Sequence, residues 1–460
     1  MAELVDALVS GTSGSNALEV QVLLSAPRFW GCSSVDRALR SHRRGRGFES
    51  HQLHQNYTAR MGGFLLQYFI NVIIFFANNF REKNMNFGIT SSTSIIGFIA
   101  MAFLFVRYAM FSNISWWGKL ILFVVFVGIG FLPQLGKYEF EDFWGAAYPV
   151  VCNVISYVYM TAIILVTITV IRDAGWLILY LCGVTPSPMA IPSVVRANLI
   201  TLVVAAIMGG YALYVGLRTP PARVVTISSP KITAEYKIAA LPDLHIQRTT
   251  ALRRIKNIVD VVNEQHVNAA VLLGDTIDDE LSRIMPGLQM LTDISAPDGI
   301  YFVTGNHETY LGYDASVAAL KGMGFTFLEN SGVSLRDDIY LGGFPDIHSS
   351  RRSGHRYDMA KTFENANAGQ FRLLASHTPG TFKNNDFDLE IAGHTHGGQI
   401  IPIIFLMYLH APFLAGEYEL HDGAKIYVSR GISQGGPQMR LFAPNEITVI
   451  KLVPQFGGKM

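Results

Sequence analysis

Two histidines one residue apart, His394 and His396, lie in the glycine-rich stretch Gly-His-Thr-His-Gly-Gly at residues 393–398. The apolar run Leu389–Ala392 directly before them predicts a buried strand. Glycine permits tight turns and close approach of the backbone to a ligand, and imidazole nitrogen is a frequent metal ligand. A His-x-His pair alone is a weak signal, because a solvated loop can also carry one. A metal-site prediction therefore needs further ligands from elsewhere in the chain.

Six further apolar runs predict strands: Ile238–Leu241, Ala269–Leu273, Ile300–Thr304, Arg372–Ala375, Ile426–Ser429 and Ile447–Leu452. The first four are followed by polar clusters: Asp243-Leu244-His245, Gly274-Asp275-Thr276-Ile277-Asp278, Gly305-Asn306-His307-Glu308 and Ser376-His377. Apolar residues of Thr249–Glu264 recur at helical spacing between the first two strands. Strand, helix, strand predicts an α/β domain whose ligands gather at the carboxyl ends of strands. One such cluster is an ordinary turn, but five in sequence indicate a shared site.

The residue types in these clusters suit metal ions. Carboxylate, imidazole and amide ligands without a thiolate favour divalent ions such as Mn, Fe, Zn or Co. The three cysteines are far apart and form no metal-binding motif. There are enough ligands for two ions, and two ions about 3.5–4 Å apart clamp a phosphoryl group and activate water for in-line attack. One carboxylate must bridge the ions, and Asp275 is central in the order.

Together these motifs resemble the calcineurin-like metallophosphoesterase superfamily over about residues 224–453. The resemblance implies two metal sites, one of Asp243, His245, Asp275 and His396, and one of Asp275, Asn306, His377 and His394. His307 matches the histidine that contacts phosphate and protonates the leaving oxygen. Asp278 has no ligand position in the family pattern and is interpreted as support for the ligands. The implied fold is a two-sheet β-sandwich flanked by helices.

Three features resemble the membrane-associated branch of that superfamily: Gly-His-Thr-His-Gly-Gly-Gln, Val428-Ser429-Arg430-Gly431 and Pro437-x-x-Arg440. The branch includes bacterial transmembrane proteins with a C-terminal phosphoesterase domain and enzymes that act on UDP-2,3-diacylglucosamine. By this resemblance Arg430 and Arg440 contact substrate phosphate. The alternative is a structural role for both arginines.

Composition divides the chain into a membrane part and a soluble part. Half of the residues are hydrophobic and only 15% are charged, against about 25% in soluble proteins. Each of four apolar runs is close to the roughly 17–25 residues that cross a bilayer: Ile95–Phe111, Leu120–Leu135, Ala146–Ile171 and Leu199–Leu217. Gly175–Val184 is short and is interpreted as an interfacial or re-entrant piece. The predicted order is a transmembrane domain with about four helices at 85–217, a linker at 218–223, the phosphoesterase domain at 224–453 and a tail at 454–460.

Residues 1–84 are predicted to be a spurious or disordered extension. Segments within residues 1–60 can be encoded by the conserved arm of transfer-RNA genes, and Arg81–Lys83 can be encoded by a ribosome-binding sequence just ahead of Met85. Met85 is therefore the expected start of the protein. The alternative interpretation of the basic run Arg40–Arg46 is an arm that binds nucleic acid or a membrane surface.

The predicted function is hydrolysis of a phosphodiester or pyrophosphate bond by an integral membrane protein of the cell membrane. A nuclease of the same superfamily is disfavoured, and no nucleic-acid partner is expected, because the net charge is +1 and no basic stripe lies outside the N-terminal extension. A membrane transporter or a sensor that only binds a phosphorylated ligand is the other alternative. The apolar runs carry almost no central charge, which argues against a translocation pathway.

The apolar run Ile400–Leu409 begins a few residues after His396. We expect it to form a flap that dips into the lipid headgroups, so that the substrate is lipid-linked, such as UDP-2,3-diacylglucosamine or a phospholipid. The alternative is a core strand or helix.

Basic residues near the apolar runs predict the side of the membrane. Three successive loops carry, in order, Arg107 and Lys119, then Lys137 among acidic residues, then Arg172 and Arg196. The positive-inside tendency places the first and third loops in the cytoplasm and the phosphoesterase domain outside it. Arg218 and Arg223 after the last run favour the opposite orientation.

Overall fold

The computed structural model describes residues 89–110, 112–135, 141–185, 191–347, 354–380, 382, 386–420 and 423–455. The predictions for residues 1–84 fall outside this part of the chain. The chain divides into two compact units between Val127 and Gly128.

The N-terminal half is a series of apolar helices: α1 Ile89–Phe105, continued by a π-helical Val106–Met110; α2 Trp116–Leu135; α3 Glu141–Trp144, followed by a 3-10 turn Gly145–Ala147; α4 Tyr148–Leu181; and α5 Ile191–Leu217. By length and composition, three segments of the described chain are able to cross a membrane: Trp116–Pro133, Gly145–Leu181 and Val194–Leu217. Of the four predicted spans, the first is a shorter apolar helix, Ile96–Met110. Within the described residues, three of the four predicted spans are thus long and apolar enough to cross a membrane.

The interfacial piece predicted at Gly175–Val184 is not a separate element. Most of it continues α4, a single helix of 34 residues. One glycine inside a helix costs only about 1 kcal/mol, so Gly175 does not end it. The nearby charge is also satisfied, because Arg172 pairs with Asp173 at 2.7 Å and donates to Thr201 on α5 at 2.8 Å. Arg172 therefore lies inside a helix and not in a loop.

The described residues of the C-terminal half form twelve strands: β1 Ala222–Ser229, β2 Tyr236–Leu241, β3 Ala269–Leu273, β4 Ile300–Val303, β5 Thr326–Phe327, β6 Ser331–Arg336, β7 Ile339–Gly343, β8 Phe371–Ala375, β9 Leu389–Ala392, β10 Gly416–Glu419, β11 Lys425–Val428 and β12 Ile447–Pro454. Its helices are α6 Leu252–Asn263, α7 Leu281–Gln289, α8 Asn306–Leu311, α9 Tyr313–Gly322, α10 Met359–Thr362 and α11 Ile403–His410, with 3-10 turns at Met290–Asp293 and His396–Gly398.

These strands form two six-stranded sheets, in the orders β1-β12-β2-β3-β4-β5 and β10-β11-β9-β8-β7-β6. Apolar side chains of both sheets meet in one core, including Val271 and Val303 from the first and Leu373 and Ile391 from the second. On its other face the first sheet is covered by α6, whose Ile255, Ile258, Val259 and Val262 are buried. A strand covered on both faces is apolar throughout, as β3 is. The predicted two-sheet sandwich flanked by helices is confirmed.

Parallel pairing brings the predicted polar clusters to one edge. Strands β2, β3 and β4 run parallel in the first sheet, and β7, β8 and β9 run parallel in the second. Their carboxyl ends therefore lie together. Backbone hydrogen bonds join the segments that leave the strands: Asp243 donates to Gly274 at 3.1 Å, and Gly393 donates to His377 at 2.9 Å.

Candidate metal centre

The structure brings the predicted ligands into two groups of buried side chains. The first group is Asp243, His245 and His396, and the second is Asp275, His377 and His394. Within each group the possible ligand atoms all lie within 4.8 Å of one another. Asn306, the predicted amide ligand, belongs to the second group, because its Oδ1 lies 3.1 Å from Nε2 of His377.

The backbone at these positions is unusual. Five of the predicted ligands have positive φ angles: Asp243 (57°), His245 (42°), Asp275 (49°), His394 (68°) and His396 (50°). Residues other than glycine rarely adopt this region, and each costs of order 1–3 kcal/mol where the surroundings do not favour it. Such conformations cluster at functional sites. Here they turn side chains at the ends of strands inward, towards each other.

Glycines allow the neighbouring loops to approach the ligands. A Cβ atom at Gly393 would lie 2.7 Å from Oδ2 of Asp243, and one at Gly431 would lie 2.6 Å from the same oxygen. A side chain at either position would displace the carboxylate. Both glycines lie in motifs that are visible in the sequence, but only the fold shows that Gly431 is next to Asp243.

The contacts between ligand atoms fit divalent metal ions. Nε2 of His245 lies 3.2 Å from Nε2 of His396, and Nε2 of His377 lies 3.1 Å from Nδ1 of His394. Several buried lone pairs thus converge on each group. Two neutral imidazole nitrogens gain little from facing each other, whereas both can bind a shared cation.

Asp275 occupies the position between the two groups. Its buried Oδ2 accepts no hydrogen bond, although it lies 3.3 Å from Nε2 of His377 and 3.8 Å from Nε2 of His245. A buried carboxylate oxygen without a partner is costly, and a bridging cation pair would satisfy it. Burial opposes ionisation, yet the imidazoles of His377, His307 and His245 hold the pKa of Asp275 well below its usual range. The residues present therefore fit two metal ions that share this carboxylate.

Glu308 fixes the segment that carries Asp275, a role that the sequence analysis missed. Its buried carboxylate accepts backbone N–H groups from Asp275 (3.0 Å), Thr276 (2.7 Å), Ile277 (3.0 Å) and Gly305 (2.7 Å). Glu308 is the third residue of α8 and follows Gly305 by three positions. A glutamate at this position often caps the start of a helix, so the sequence contained a signal for this role. Burial and the nearby Asp275 raise the pKa of Glu308.

Asp278 lies beside two of the histidines. Its Oδ1 lies 2.5 Å from Nδ1 of His307, and its Oδ2 lies 3.2 Å from Nδ1 of His245. Burial opposes ionisation of Asp278, but these hydrogen bonds lower its pKa to about 2. An ionised carboxylate fixes the N–H on Nδ1 of each ring and leaves Nε2 for a metal or a substrate. This is the position expected of a residue that supports the ligands.

The two predicted substrate arginines have different surroundings. Arg440 is fully buried, and its guanidinium donates to the backbone carbonyls of His396 (3.1 Å), Arg430 (2.6 Å), Ala443 (3.1 Å) and Ser433. Burial lowers its pKa to about 9. Arg440 is thus placed to hold the backbone around His396, as the alternative of a structural role requires. Arg430 is partly exposed and pairs with Glu446 at 3.1 Å.

The apolar run after His396 divides into two parts. Ile400 and Ile401 are buried, as the core alternative requires. The helix α11 that follows has no buried residue, and the exposed fractions of Phe405, Tyr408 and Leu409 are 52%, 67% and 78%. This helix is therefore not part of the core.

Comparison with known proteins agrees with the geometry. Residues 236–398 match the family model of the calcineurin-like phosphoesterases. An uncharacterised metallophosphoesterase of Campylobacter jejuni is 32% identical over 240 residues, which are 51% of this chain and 64% of that protein. A transmembrane protein with metallophosphoesterase domain from Danio rerio is 29% identical over 274 residues, 56% of this chain and 63% of that protein. An uncharacterised metallophosphoesterase of Aquifex aeolicus is 29% identical over 257 residues, 54% of this chain and 97% of that protein.

The chain spans just under two thirds of the length of the Campylobacter and Danio relatives. The matched residues begin at strand β2 and include all seven predicted metal ligands, of which His396 is the last. The apolar helices precede these residues in the chain. Residues 236–398 are therefore similar to the calcineurin-like phosphoesterases, and the apolar helices before them are a feature shared with the relatives named transmembrane protein with metallophosphoesterase domain.

Proposed function

We propose that this chain is a membrane-anchored phosphoesterase that uses two divalent ions to hydrolyse a phosphodiester or pyrophosphate bond. The observation that carries the proposal is the position of Asp275, whose unpartnered Oδ2 lies near histidines of both ligand groups. Two ions bound there would act as Lewis acids on the phosphoryl group and would lower the pKa of water towards neutrality. The ligand types suit Mn, Fe, Zn or Co.

His307 is the residue that we assign to the leaving group. Its ring is one-fifth exposed, and its Nε2 lies 3.9 Å from Oδ2 of Asp275. Asp278 fixes the proton on Nδ1 and so directs Nε2 towards the place where a phosphoryl group would bind. From there the imidazolium form donates a proton to the departing oxygen. Before the proton is transferred, the positive charge of the imidazolium stabilises the negative charge that develops on the phosphoryl group.

We further propose that the substrate is lipid-linked, such as UDP-2,3-diacylglucosamine or a phospholipid. The support is α11, which is apolar around its whole circumference and exposed although it begins seven residues after His396. Gln399, just before this helix, donates to the carbonyl of Pro437 at 3.0 Å, and Arg440 in the same loop donates to Ala212 on α5 at 2.9 Å. The exposed helix and the last membrane helix thus attach to one loop. This arrangement suits a substrate whose acyl chains stay in the lipid.

The test compares two substrates on the full chain in detergent with Mn. The double variant Phe405→Ser/Leu406→Ser should lose at least about tenfold more activity on a diacylated phosphodiester than on a small chromogenic diester. Val224→Ser serves as the control, because Val224 is 50% exposed, close to the 52% of Phe405, and lies on β1. Equal losses on both substrates would contradict the lipid proposal. If the chain binds phosphorylated ligands but hydrolyses none of them with any of the metals tested, the sensor alternative is favoured.

The side of the membrane is a separate proposal. Arg107 and Lys119, near the ends of the first two apolar helices, favour a cytoplasmic position for the segment between them and an extracytoplasmic phosphoesterase domain. Arg172 no longer supports this orientation, because it pairs with Asp173 inside α4. Protease treatment of intact cells should cleave the domain if the proposal is correct. Cleavage only after lysis would reverse the orientation.

A further inference from the structure

The last turn of α5 packs against the loop formed by residues 432–440. Gln434 Nε2 donates to the carbonyl of Gly216 at 2.7 Å, and the backbone N–H of Arg440 donates to Ala212 at 2.9 Å. The guanidinium of Arg254 donates to Leu217 at 2.7 Å and to Ile432 at 3.3 Å, so it bridges the helix end and the loop. The donors to Gly216 and Leu217 satisfy carbonyls that the C-terminus of a helix leaves without partners.

The same loop reaches the first ligand group by two routes. Gly435 lies beside two of the imidazoles, because a Cβ atom there would be 3.3 Å from Nε2 of His396 and 3.9 Å from Nε2 of His245. The second route is the Arg440 side chain. It donates to the carbonyl of His396 at 3.1 Å, and its Nη2 lies 3.1 Å from Nδ1 of the same residue. Both the backbone and the ring of His396 are thus in contact with Arg440, whose own N–H is bound to α5.

Two ligands of the second group, His377 and Asp275, are held by contacts within the phosphoesterase domain. Nδ1 of His377 donates to the carbonyl of Leu273 on β3 at 2.8 Å. The segment around Asp275 is held by the carboxylate of Glu308. Movement at the end of α5 should therefore disturb the first group more than the second.

We propose that the last turn of α5 positions the 432–440 loop, with Gln434 and Arg254 as the positioning residues, and through it supports the metal site of Asp243, His245 and His396. One of the two ions then depends on the docking of the membrane helix. The inference rests on the proposed two-metal function. Beyond that function, it assigns α5 a second role: besides anchoring the chain in the membrane, the helix supports the metal centre.

Gly216 offers a sharp test. A Cβ atom at this position would overlap the carbonyl oxygen of Gln438 and lie 2.8 Å from its carbonyl carbon and 3.0 Å from Cα of Met439. Because these are backbone atoms, Gly216→Ala must displace the loop. Gly210 on the same helix has no atom within 4 Å of such a Cβ, so Gly210→Ala is the matched control. Alanine is the better helix former at both positions.

The measurement is a Mn titration of the full chain in detergent, followed by electron paramagnetic resonance. Gly216→Ala should weaken the binding of one Mn ion at least about tenfold. The affinity for the other ion and the thermal midpoint of unfolding should stay near the wild-type values. Gly210→Ala should titrate like the wild type. Gln434→Ala, which removes one hydrogen bond without a clash, should weaken the same ion by about three- to tenfold. Arg254→Lys should bind that ion more tightly than Arg254→Ala.

Four outcomes are informative. Selective weakening of one ion supports the inference. Unchanged binding of both ions in Gly216→Ala and Gln434→Ala overturns it while the proposed function stands. Equal weakening of both ions indicates a general structural defect and also overturns it. If the wild-type chain binds no metal, both the proposed function and this inference are wrong. If Gly216→Ala does not fold, Gln434→Ala decides between these outcomes.

Discussion

The carboxylate of Asp278 lies 2.5 Å from Nδ1 of His307, and this contact defines the direction of the ring. His307 has an imidazole with two possible proton positions, and only a fixed proton on Nδ1 leaves Nε2 for the reacting group. The second carboxylate oxygen does the same for His245. Asp278 thus links the residue assigned to the leaving group with a metal ligand.

Removal of this carboxylate should slow turnover. Asp278→Asn is expected to lower kcat by about 10²–10⁴-fold, because the general acid loses its orientation, and His307→Gln should have an effect of similar size while metal stays bound. The two residues act as a unit, so the double variant should be little slower than His307→Gln alone. If the fall in kcat of the double variant equals the product of the two single-variant falls, the residues act independently. Steady-state kinetics on a chromogenic diester provide the measurement.

Glu308 should be important for stability as well as for the site. Glu308→Gln leaves one oxygen to accept the four backbone N–H groups and should cost roughly 2 kcal/mol of folding free energy. Denaturant unfolding of the full chain in detergent measures this cost. Glu280→Gln is the control, because its side chain is 65% exposed and its pair with Arg283 is a surface ion pair. A loss no larger than that of the control would contradict this role.

Glu390 should make stability depend on pH. Its carboxyl is buried on β9, accepts a hydrogen bond from Ser376 at 2.6 Å, and has an Oε2 without a partner. Burial raises its pKa to about 8, above the value near 4.5 for an unperturbed glutamate. Between these two pKa values the unfolded chain loses a proton that the folded chain keeps. Stability from this group is therefore complete below about pH 4.5 and is lost as the pH rises through about 8.

Glu390→Gln should remove that loss, because glutamine stays neutral. The thermal midpoint of this variant should exceed that of the wild type at pH 8 and come close to it at pH 5. Glu419→Gln, at an exposed position on β10, should follow the wild type at both pH values. Parallel curves for wild type and Glu390→Gln would show that Glu390 does not titrate in this window.

The fold was predictable where local pattern and burial coincide. Apolar runs such as Ala269–Leu273 are buried central strands, so their composition indicates them directly. The strands that the pattern missed are mainly edge strands or strands with glycine, such as β5, β6, β7 and β10, where apolar runs are short or interrupted. The end of α4 was missed because a glycine and an Arg-Asp pair resemble a boundary in the sequence, whereas in the helix the charges satisfy each other.

The candidate site was predictable in its ligands and less so in its supports. The residues named as ligands follow strands that pair in parallel, so their order along the chain already indicated a common edge. Arg440 illustrates the limit, because residue type alone does not distinguish a phosphate contact from a buried backbone clamp. The contact of Gln434 with Gly216 spans 218 residues of sequence, and no local pattern encodes it.

The central claim is that Asp275 joins two metal ions in one hydrolytic site. The most direct measurement counts bound Mn and records diester hydrolysis for the wild-type full chain and for Asp275→Asn, each before and after chelation. We expect two ions and chelator-sensitive hydrolysis in the wild type, and fewer than two ions with at least about a thousandfold lower kcat in Asp275→Asn. Two bound ions and an unchanged rate in Asp275→Asn would contradict the account.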